Sequence, residues 1–525
     1  MAARYILRVD IGTHAVKVST VDHLGNRIGN IVSNPLTVIE RPTVVGFGER
    51  VTKNAVMVID GKQFITRLQD FNHLRSTVLE TMKAGIAEAE SAGADRASYK
   101  GIGTSGAMHT DQPFAGKDDN GILVPIEDDF ATMWNSEHNG IEFDMLMNIP
   151  GLREMILHAT SNEPMQRGIL TKMLFRKLND LNWESTTRFL SANNWITHVL
   201  TGSNSFEMSD AISAIDPRTG LYAVDLLKFF GLSGKLPTIV DSEESVGTLL
   251  PHVADQLGLS KNVIVAAGGG DQRMALFGNG IVRPGRVALN WGASGTILAH
   301  TGGKFDPTGR INTFGPNIPW FMNCCMATGL SLDRFSEASK IAVKDIAAYA
   351  MTSRIDANGV VMWPWFGVTN APYKSLGTDP YYENWRGANP ADQARAVLNG
   401  SVIEMLKCVD QLKQLGTPVE SIRFSGGGAN SDLLANIIAS YTGLPVEVPE
   451  DIEASSVGAG ISAMVATNEF GSVEEACDAT IKFRDPIKPN LQDQDALRAL
   501  AQKYDDDFQR LYPEAWKRHH EAKKI

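Results

Sequence analysis

Cysteine is scarce: four in 525 residues, at Cys324, Cys325, Cys408 and Cys477. None form a CxxC pair, so neither a zinc site nor a disulfide framework is indicated, and the thiols suit a reducing cytoplasm. No stretch approaches the roughly 18 uninterrupted apolar residues of a membrane span. The N-terminus MAARYILRVDIG reaches Asp10 at once and so lacks the apolar core of a signal peptide. Positive charge is not in surplus. A formal net charge of -11 argues against a nucleic-acid surface, which needs a basic stripe, while leaving room for a local cationic pocket. GxxxxGK[ST] is absent, which excludes a P-loop kinase, and so are HExxH and GxSxG.

What remains is an ordinary globular composition, 43% hydrophobic and 21% charged with 48 glycines. The length is too great for one core and implies two domains of roughly 250 residues. Tyr5 to Val9, Val16 to Val21 and the segment after Gly25-Asn26 predict three strands joined by turns. Arg286 to Leu289 and Ile297 to Ala299, flanking Asn290 to Thr296, repeat that outline mid-chain and suggest an internal duplication. Ala391 to Leu415 predicts a helix, with Leu398, Val402, Met405, Val409 and Leu412 on one face and Cys408 as plain core. Ser472 to Glu475 reads as a capping box. Strands alternating with helices make the class α/β. The basic end, Lys517 to His520 with Lys523-Lys524, is expected to be a solvated tail.

Several glycine turns carry candidate chemistry. Asp10-Ile11-Gly12-Thr13 closes a strand with an acid, a permissive glycine and a hydroxyl. Such a turn can hold phosphate oxygens, Asp10 can hold Mg²⁺, and Lys17 can return to the phosphates from the next strand. Alone it is equally an ordinary hairpin turn. Gly268-Gly269-Gly270-Asp271 follows the apolar run Val263 to Ala267. A carboxylate there is either a helix N-cap or, with space left by the glycines, a base for a substrate hydroxyl. Ser425 to Ala429 is a further strand-to-helix glycine turn, whose bare backbone can lie against a purine or ribose. Gly101 to Gly106 matches GxGxxG, but no amphipathic helix follows and Pro113 interrupts, so a nicotinamide site is not indicated.

In this order the motifs resemble one family, the FGGY carbohydrate kinases, over almost the whole chain. Asp10 to Thr13 with Lys17 looks like its first phosphate motif. Ser105-Gly106-Ala107-Met108-His109 resembles the Ser-Gly-Gln-Met-His segment of xylulokinases and gluconokinases. Gly269 to Gln272, followed by Ala275 to Gly278, resembles the catalytic segment, and Trp291 to Gly295 the second phosphate motif. Gly426 to Ala429 resembles the adenosine motif, and Glu453 to Ala459 its following small-residue helix; Leu200 to Gly202 and Ser209 to Ala211 are also family-like. The resemblance implies two actin-like (ASKHA, ribonuclease H-like) α/β domains with an interdomain cleft whose closure excludes water. Residues 1–276 would form the sugar side and 277–525 the ATP side. It implies Asp271 as base, Asp10 as magnesium-linked acid, and Met108 and His109 as substrate contacts. Gly12, Thr13, Lys17, Gly292, Ala293, Ser294, Gly427, Gly428 and Ala429 would bind ATP. The implied activity is ATP- and Mg²⁺-dependent phosphorylation of a small sugar or polyol, a ketopentose such as xylulose first, by a cytoplasmic enzyme without nucleic-acid or membrane partners and possible as a homodimer.

Three departures qualify this. Ala293 stands where the family usually has Thr, so a γ-phosphate hydroxyl is missing unless Ser294 or Thr296 replaces it. Trp134-Asn135-Ser136-Glu137 stands where xylulokinases read Trp-Asn-Asp-Gly-Arg, with Glu127-Asp128-Asp129 preceding as an alternative source of acids or a solvated loop. Val45 to Asp70 lacks the family's usual Glu-Gln-Asp-Pro pattern. A degenerate kinase fold that senses nucleotide or sugar without turnover is therefore the competing reading, opposed by the retained Asp10 and Asp271. An actin- or Hsp70-like ATPase with a protein client is a third, opposed by the Met-His and Gly-Gly-Asp segments.

Overall fold

The computed structural model describes residues 4–42, 58–59, 62–63, 65–126, 130–179, 182–309, 311–325, 328–369, 371–373 and 375–521. They form two compact units: 1–280 with 314–317 and 455–480, and 281–313 with 318–454 and 481–525.

In the first unit the strand Tyr5–Ile11 pairs antiparallel with Ala15–Asp22, which pairs antiparallel with Arg27–Pro35. Its other edge pairs parallel with Tyr99–Gly106, and that strand with Ile264–Ala266. Gly25 makes the second turn in the left-handed region, at φ 80°. The helix Phe71–Ser91, capped by Asp70 through the amides of Asn72 and His73, buries Leu74, Val78, Met82 and Ile86 in the same core.

The second unit repeats this order. Gly285–Trp291 pairs antiparallel with Gly295–His300, which pairs antiparallel with Trp320–Cys325. Gly285–Trp291 also pairs parallel with Val419–Gly426, and that strand with Val446–Glu447. Even the irregularity recurs: the parallel register slips after Tyr5 in one sheet and after Gly285 in the other. Asp10 thus lies opposite Ser105 where Asn290 lies opposite Ser425. The duplication expected from the two hairpins is present at the level of register.

The predicted long helix runs Pro390–Gln414, capped by Asn389, and buries Leu398, Val402, Met405, Cys408, Val409 and Leu412. Ser472 accepts from the Glu475 amide, and the Glu475 carboxylate reaches back to Gly471, opening the helix Val473–Thr480. The basic end departs from expectation. Pro513–Glu521 is helical, with the His519 ring 4.9 Å from Tyr373 and the His520 ring 4.1 Å from Trp516; its aromatic residues give it a face to pack. Lys523 and Lys524 lie outside the described residues. Among the described residues no helix is long and apolar enough to cross a membrane.

The GxGxxG glycines lie inside the strand Tyr99–Gly106 rather than at a strand-to-helix turn. They admit another element: a Cβ on Gly103 would stand 1.7 Å from the Ala459 carbonyl oxygen. The small-residue helix Ala454–Ala466, from Ser455 onward, thus packs within the first unit.

Candidate active site

The site in the first unit is built where neighbouring parallel strands end. Asp10 is level with Ser105, and Ser105 with Gly269; one residue on, Ile11 is level with Gly106, and Gly106 with Gly270. Carboxyl ends of parallel strands are where open α/β sheets bind ligands, because helices and turns start there with unpaired amides. Asp271 follows Gly270 at the first position of the helix Asp271–Gly278. The N-cap is Gly270, with no side-chain cap bond, so Asp271 does not serve as the cap. Its Oδ1 accepts from the Met108 amide at 3.4 Å. Burial raises its carboxyl from 3.8 to about 6, against the lowering effect of hydrogen bonds from Met108 and Gln272. Gly270 must be glycine: a Cβ would stand 2.3 Å from Met108 Cγ. The Ser455 hydroxyl donates to the Asp271 carbonyl at 3.0 Å, so the small-residue helix also braces this turn.

The Met108 amide is brought to Asp271, and His109 follows it in the chain. His109 is buried and left-handed, at φ 58°, a conformation uncommon outside glycine though less so for His, Asn and Asp than for other side chains. Its surroundings hold it there. The Lys172 ammonium donates to the His109 carbonyl, and the His109 amide donates to Asp210 Oδ1 at 3.3 Å. Asp210 Oδ2 accepts from Ser191 at 2.5 Å. Lys172 also donates to Asp111 Oδ2 at 3.1 Å and to the Thr132 carbonyl at 2.8 Å. Burial pushes the Lys172 pKa down and that of Asp111 up, each opposed by its partner; three oxygens around three N–H donors mark the lysine as protonated. Burial, reinforced by the charges of Arg167 and Lys172, keeps the His109 imidazole neutral, well below the usual range. Among the described residues neither His109 ring nitrogen has a partner, nor do Ser105 Oγ, Thr110 Oγ1 and Gln69 Nε2. Buried polar atoms are normally satisfied, so these atoms have hydrogen-bonding capacity to spare.

The family-like segment around Asp210 has a local role. Ser209 accepts from the Gly270 amide at 3.1 Å and donates to Glu207, which also accepts from Ser242 at 2.9 Å. Asp210 and Ser209 therefore fix the backbones of His109 and Gly270 respectively.

At the phosphate-like turn, Gly12 spends its amide within the hairpin on Ala15, at 2.9 Å. Asp10 is half-buried, with Lys17 opposite it in register. The Thr13 hydroxyl accepts from Trp134 Nε1 at 3.1 Å. The altered segment is committed elsewhere. Ser136 Oγ accepts from the Arg67 amide at 3.1 Å and bonds His138 Nδ1 at 2.8 Å, while Glu137 accepts from the Ile65 amide at 3.3 Å. Glu127, Asp128 and Asp129 lie outside the described residues.

In the second unit the turn Gly292-Ala293-Ser294 closes with Gly292 donating to the Ser294 carbonyl at 3.0 Å. Thr328 Oγ1 and the Gly329 amide both donate to the Gly292 carbonyl at 3.1 Å, holding the turn from below. Of the two hydroxyls weighed as replacements for the missing one, Ser294 is part-exposed in the turn and Thr296 is buried in the strand. In the other glycine turn Gly426 is left-handed, at φ 78°. A Cβ on Gly428 would meet Trp291 Cγ at 2.3 Å, and Ala429 is buried. Gly427 is exposed, with nothing nearer its Cβ position than 3.9 Å. Only Gly427 thus offers bare backbone to a ligand.

Sequence reasoning missed Lys172, Asp111, Gln69 and the tie from Trp134 to Thr13. Gln69-Asp70 keeps the middle pair of Glu-Gln-Asp-Pro, a signal that could have found Gln69; an apolar helix face hides Lys172.

Residues 51–278 match the FGGY family of carbohydrate kinases, N-terminal domain, and residues 295–467 match the same family's C-terminal domain. The xylulose kinase of Staphylococcus epidermidis is 26% identical over 98% of this chain and 97% of its own length. The crystal structures of ligand-bound xylulose kinase and of gluconate kinase from Lactobacillus acidophilus each superpose with a TM-score of 0.83, at 17% identity, over 97% of this chain and 98% of theirs.

Proposed function

The chain belongs to the FGGY family of carbohydrate kinases, and on that premise we propose that it transfers the γ-phosphoryl group of MgATP to a hydroxyl of a ketose or polyol, xylulose first, with Asp271 as general base. It is a carbohydrate kinase with the two-domain α/β fold of that family, and kinases of this family take their phosphoryl group from ATP. The observation that carries the assignment of the base is Asp271 itself: a carboxylate with a pKa of about 6, held at strand ends by the Met108 amide, beside a neutral His109 with both nitrogens unpartnered.

Phosphoryl transfer demands positioning more than covalent chemistry. The Asp271 carboxylate accepts a hydrogen bond from the attacking hydroxyl, aligns its lone pair with the γ-phosphorus, and takes the proton as the bond forms. His109, neutral, donates to one substrate hydroxyl from its protonated nitrogen and can accept from a different group at the other. Met108 supplies the apolar wall. On the donor side Gly427 lies against the adenosine, with Gly428 and Ala429 shaping that turn from within. Gly292, Ala293 and Ser294 hold the phosphates, and Ser294 supplies the hydroxyl that Ala293 lacks. Thr13 and Lys17 hold phosphate from the first unit. Residues 1–276 keep the acceptor role and 277–525 the donor role in this scheme.

Among the described residues no group of three or more His, Cys, Asp or Glu could hold a metal alone. Mg²⁺ binds kinases through one or two carboxylates and substrate phosphates; Asp10 would hold it, and it would neutralise phosphate charge.

An aldonic acid such as gluconate is the second reading, favoured by Arg167, whose charge reaches His109. The test is ADP release across a panel of ketopentoses, polyols and gluconate. Xylulose or a related neutral sugar should give the highest kcat/KM; preference for gluconate would establish the second reading, and no acceptor-dependent release across the panel would contradict both.

A further inference from the structure

The bond from Trp134 Nε1 to Thr13 Oγ1, 3.1 Å long, joins residues 121 apart in the chain. Its direction is fixed by chemistry, since an indole N–H can only donate. Thr13 therefore accepts here and keeps its own proton. Among the described residues that proton has no acceptor, and the hydroxyl sits part-exposed in the hairpin turn. The Gly12 amide of the same turn is already spent on the Ala15 carbonyl, which makes the Thr13 hydroxyl a principal donor there.

We propose that Trp134 is a positioning residue for nucleotide binding: its indole N–H occupies one lone pair of Thr13 Oγ1, so that the Thr13 proton points to a phosphate oxygen of ATP. A hydroxyl free to rotate spreads its proton over three staggered positions; the one aimed at the indole is closed by the N–H standing there. The same residue belongs to the Trp134–Glu137 segment, in which Ser136 and Glu137 are tied to the backbone of Arg67 and Ile65. Trp134 is the member of that segment that reaches the phosphate-like turn. The inference rests on the reading of Thr13 as a phosphate contact.

Calorimetric titration of MgATP needs no acceptor and separates the two claims. Wild type is compared with Trp134→Phe, which keeps an aromatic ring but no N–H, with Thr13→Val, and with the double variant, melting temperatures being recorded for each. Thr13→Val cuts the same bond from the other side and loses the hydroxyl. Thr13→Val should weaken MgATP about tenfold, as expected for loss of a hydrogen bond to a charged group; Trp134→Phe, which keeps the hydroxyl and reopens one of its three staggered positions, should weaken it less, about twofold, and the double variant should bind no more weakly than Thr13→Val. Thr13→Ser should bind as wild type. Unchanged affinity in Trp134→Phe alongside a loss in Thr13→Val overturns the positioning role and leaves the Thr13 contact standing. A Trp134→Phe loss that persists on top of Thr13→Val also overturns it, since Trp134 would then act by another route. Unchanged affinity in Thr13→Val removes the phosphate contact and the inference with it.

Discussion

Gly427 and Gly428 are neighbours with opposite surroundings, and this decides which one can test the nucleotide site. A valine at 428 would drive into Trp291 whether or not ATP is bound, since the Cβ alone stands 2.3 Å from Cγ. At 427 the nearest atom is 3.9 Å away, so a valine disturbs only what docks there. Gly427→Val should weaken MgATP by about tenfold or more, roughly 1.4 kcal/mol, with an unchanged melting temperature; unchanged affinity would place the purine elsewhere. Asp271 makes a second prediction at this scale. A base must be ionised, so kcat/KM should fall as pH drops through about 6. The stability effect has the opposite sense. A carboxyl whose pKa rises from 3.8 to about 6 on folding stabilises the fold at low pH and loses that contribution as pH rises through 6. Asp271→Asn should therefore melt no lower than wild type at pH 8. The turns at Asp10, Asp271 and Gly427 were legible as turns at strand ends because each motif is contiguous. Whether Asp271 caps a helix was not, because that depends on a contact with Met108, far away in the chain.

At the scale of elements, tight packing of small residues takes over. The helix Ala454–Ala466 reads in sequence as an apolar run of small residues, and nothing in it names its partner. In the structure a Cβ on Gly458 would stand 1.8 Å from the Met274 carbonyl, in the helix that begins with Asp271. Gly458→Ala should destabilise by about 1–3 kcal/mol or more through overpacking, read as a lowered denaturation midpoint, and should lower kcat by displacing Asp271. Normal stability would show that the contact yields easily. Lys172 lies in the helix Ile169–Leu178 among Leu170, Met173 and Leu174, so its pattern is that of core. Lys172→Met would leave Asp111 buried without a counter-charge, at a cost of about 3–5 kcal/mol, measurable by urea unfolding. Because Lys172 also holds the His109 carbonyl, KM for the acceptor should rise under conditions where the variant is folded.

At the scale of the molecule, two hairpins of similar outline were enough to suggest duplication. Five strands of each sheet pair in the same order and sense, down to a shared slip in register. Less legible was the return of residues 455–480 to the first unit, since chain order alone assigns them to the second half. The family relation covers both halves, while Ser136 and Glu137, where the sequence departs from the xylulokinase pattern, hold the amides of Arg67 and Ile65. The account therefore depends most on Asp271. Steady-state kinetics of Asp271→Asn, with MgATP and the best acceptor of the panel, tests it most directly. The amide matches the carboxylate in shape but cannot take a proton. The account predicts kcat lower by about 10²- to 10⁴-fold, roughly 3 to 5 kcal/mol of barrier, with MgATP affinity and melting temperature maintained. Near-normal turnover in the folded variant would contradict it.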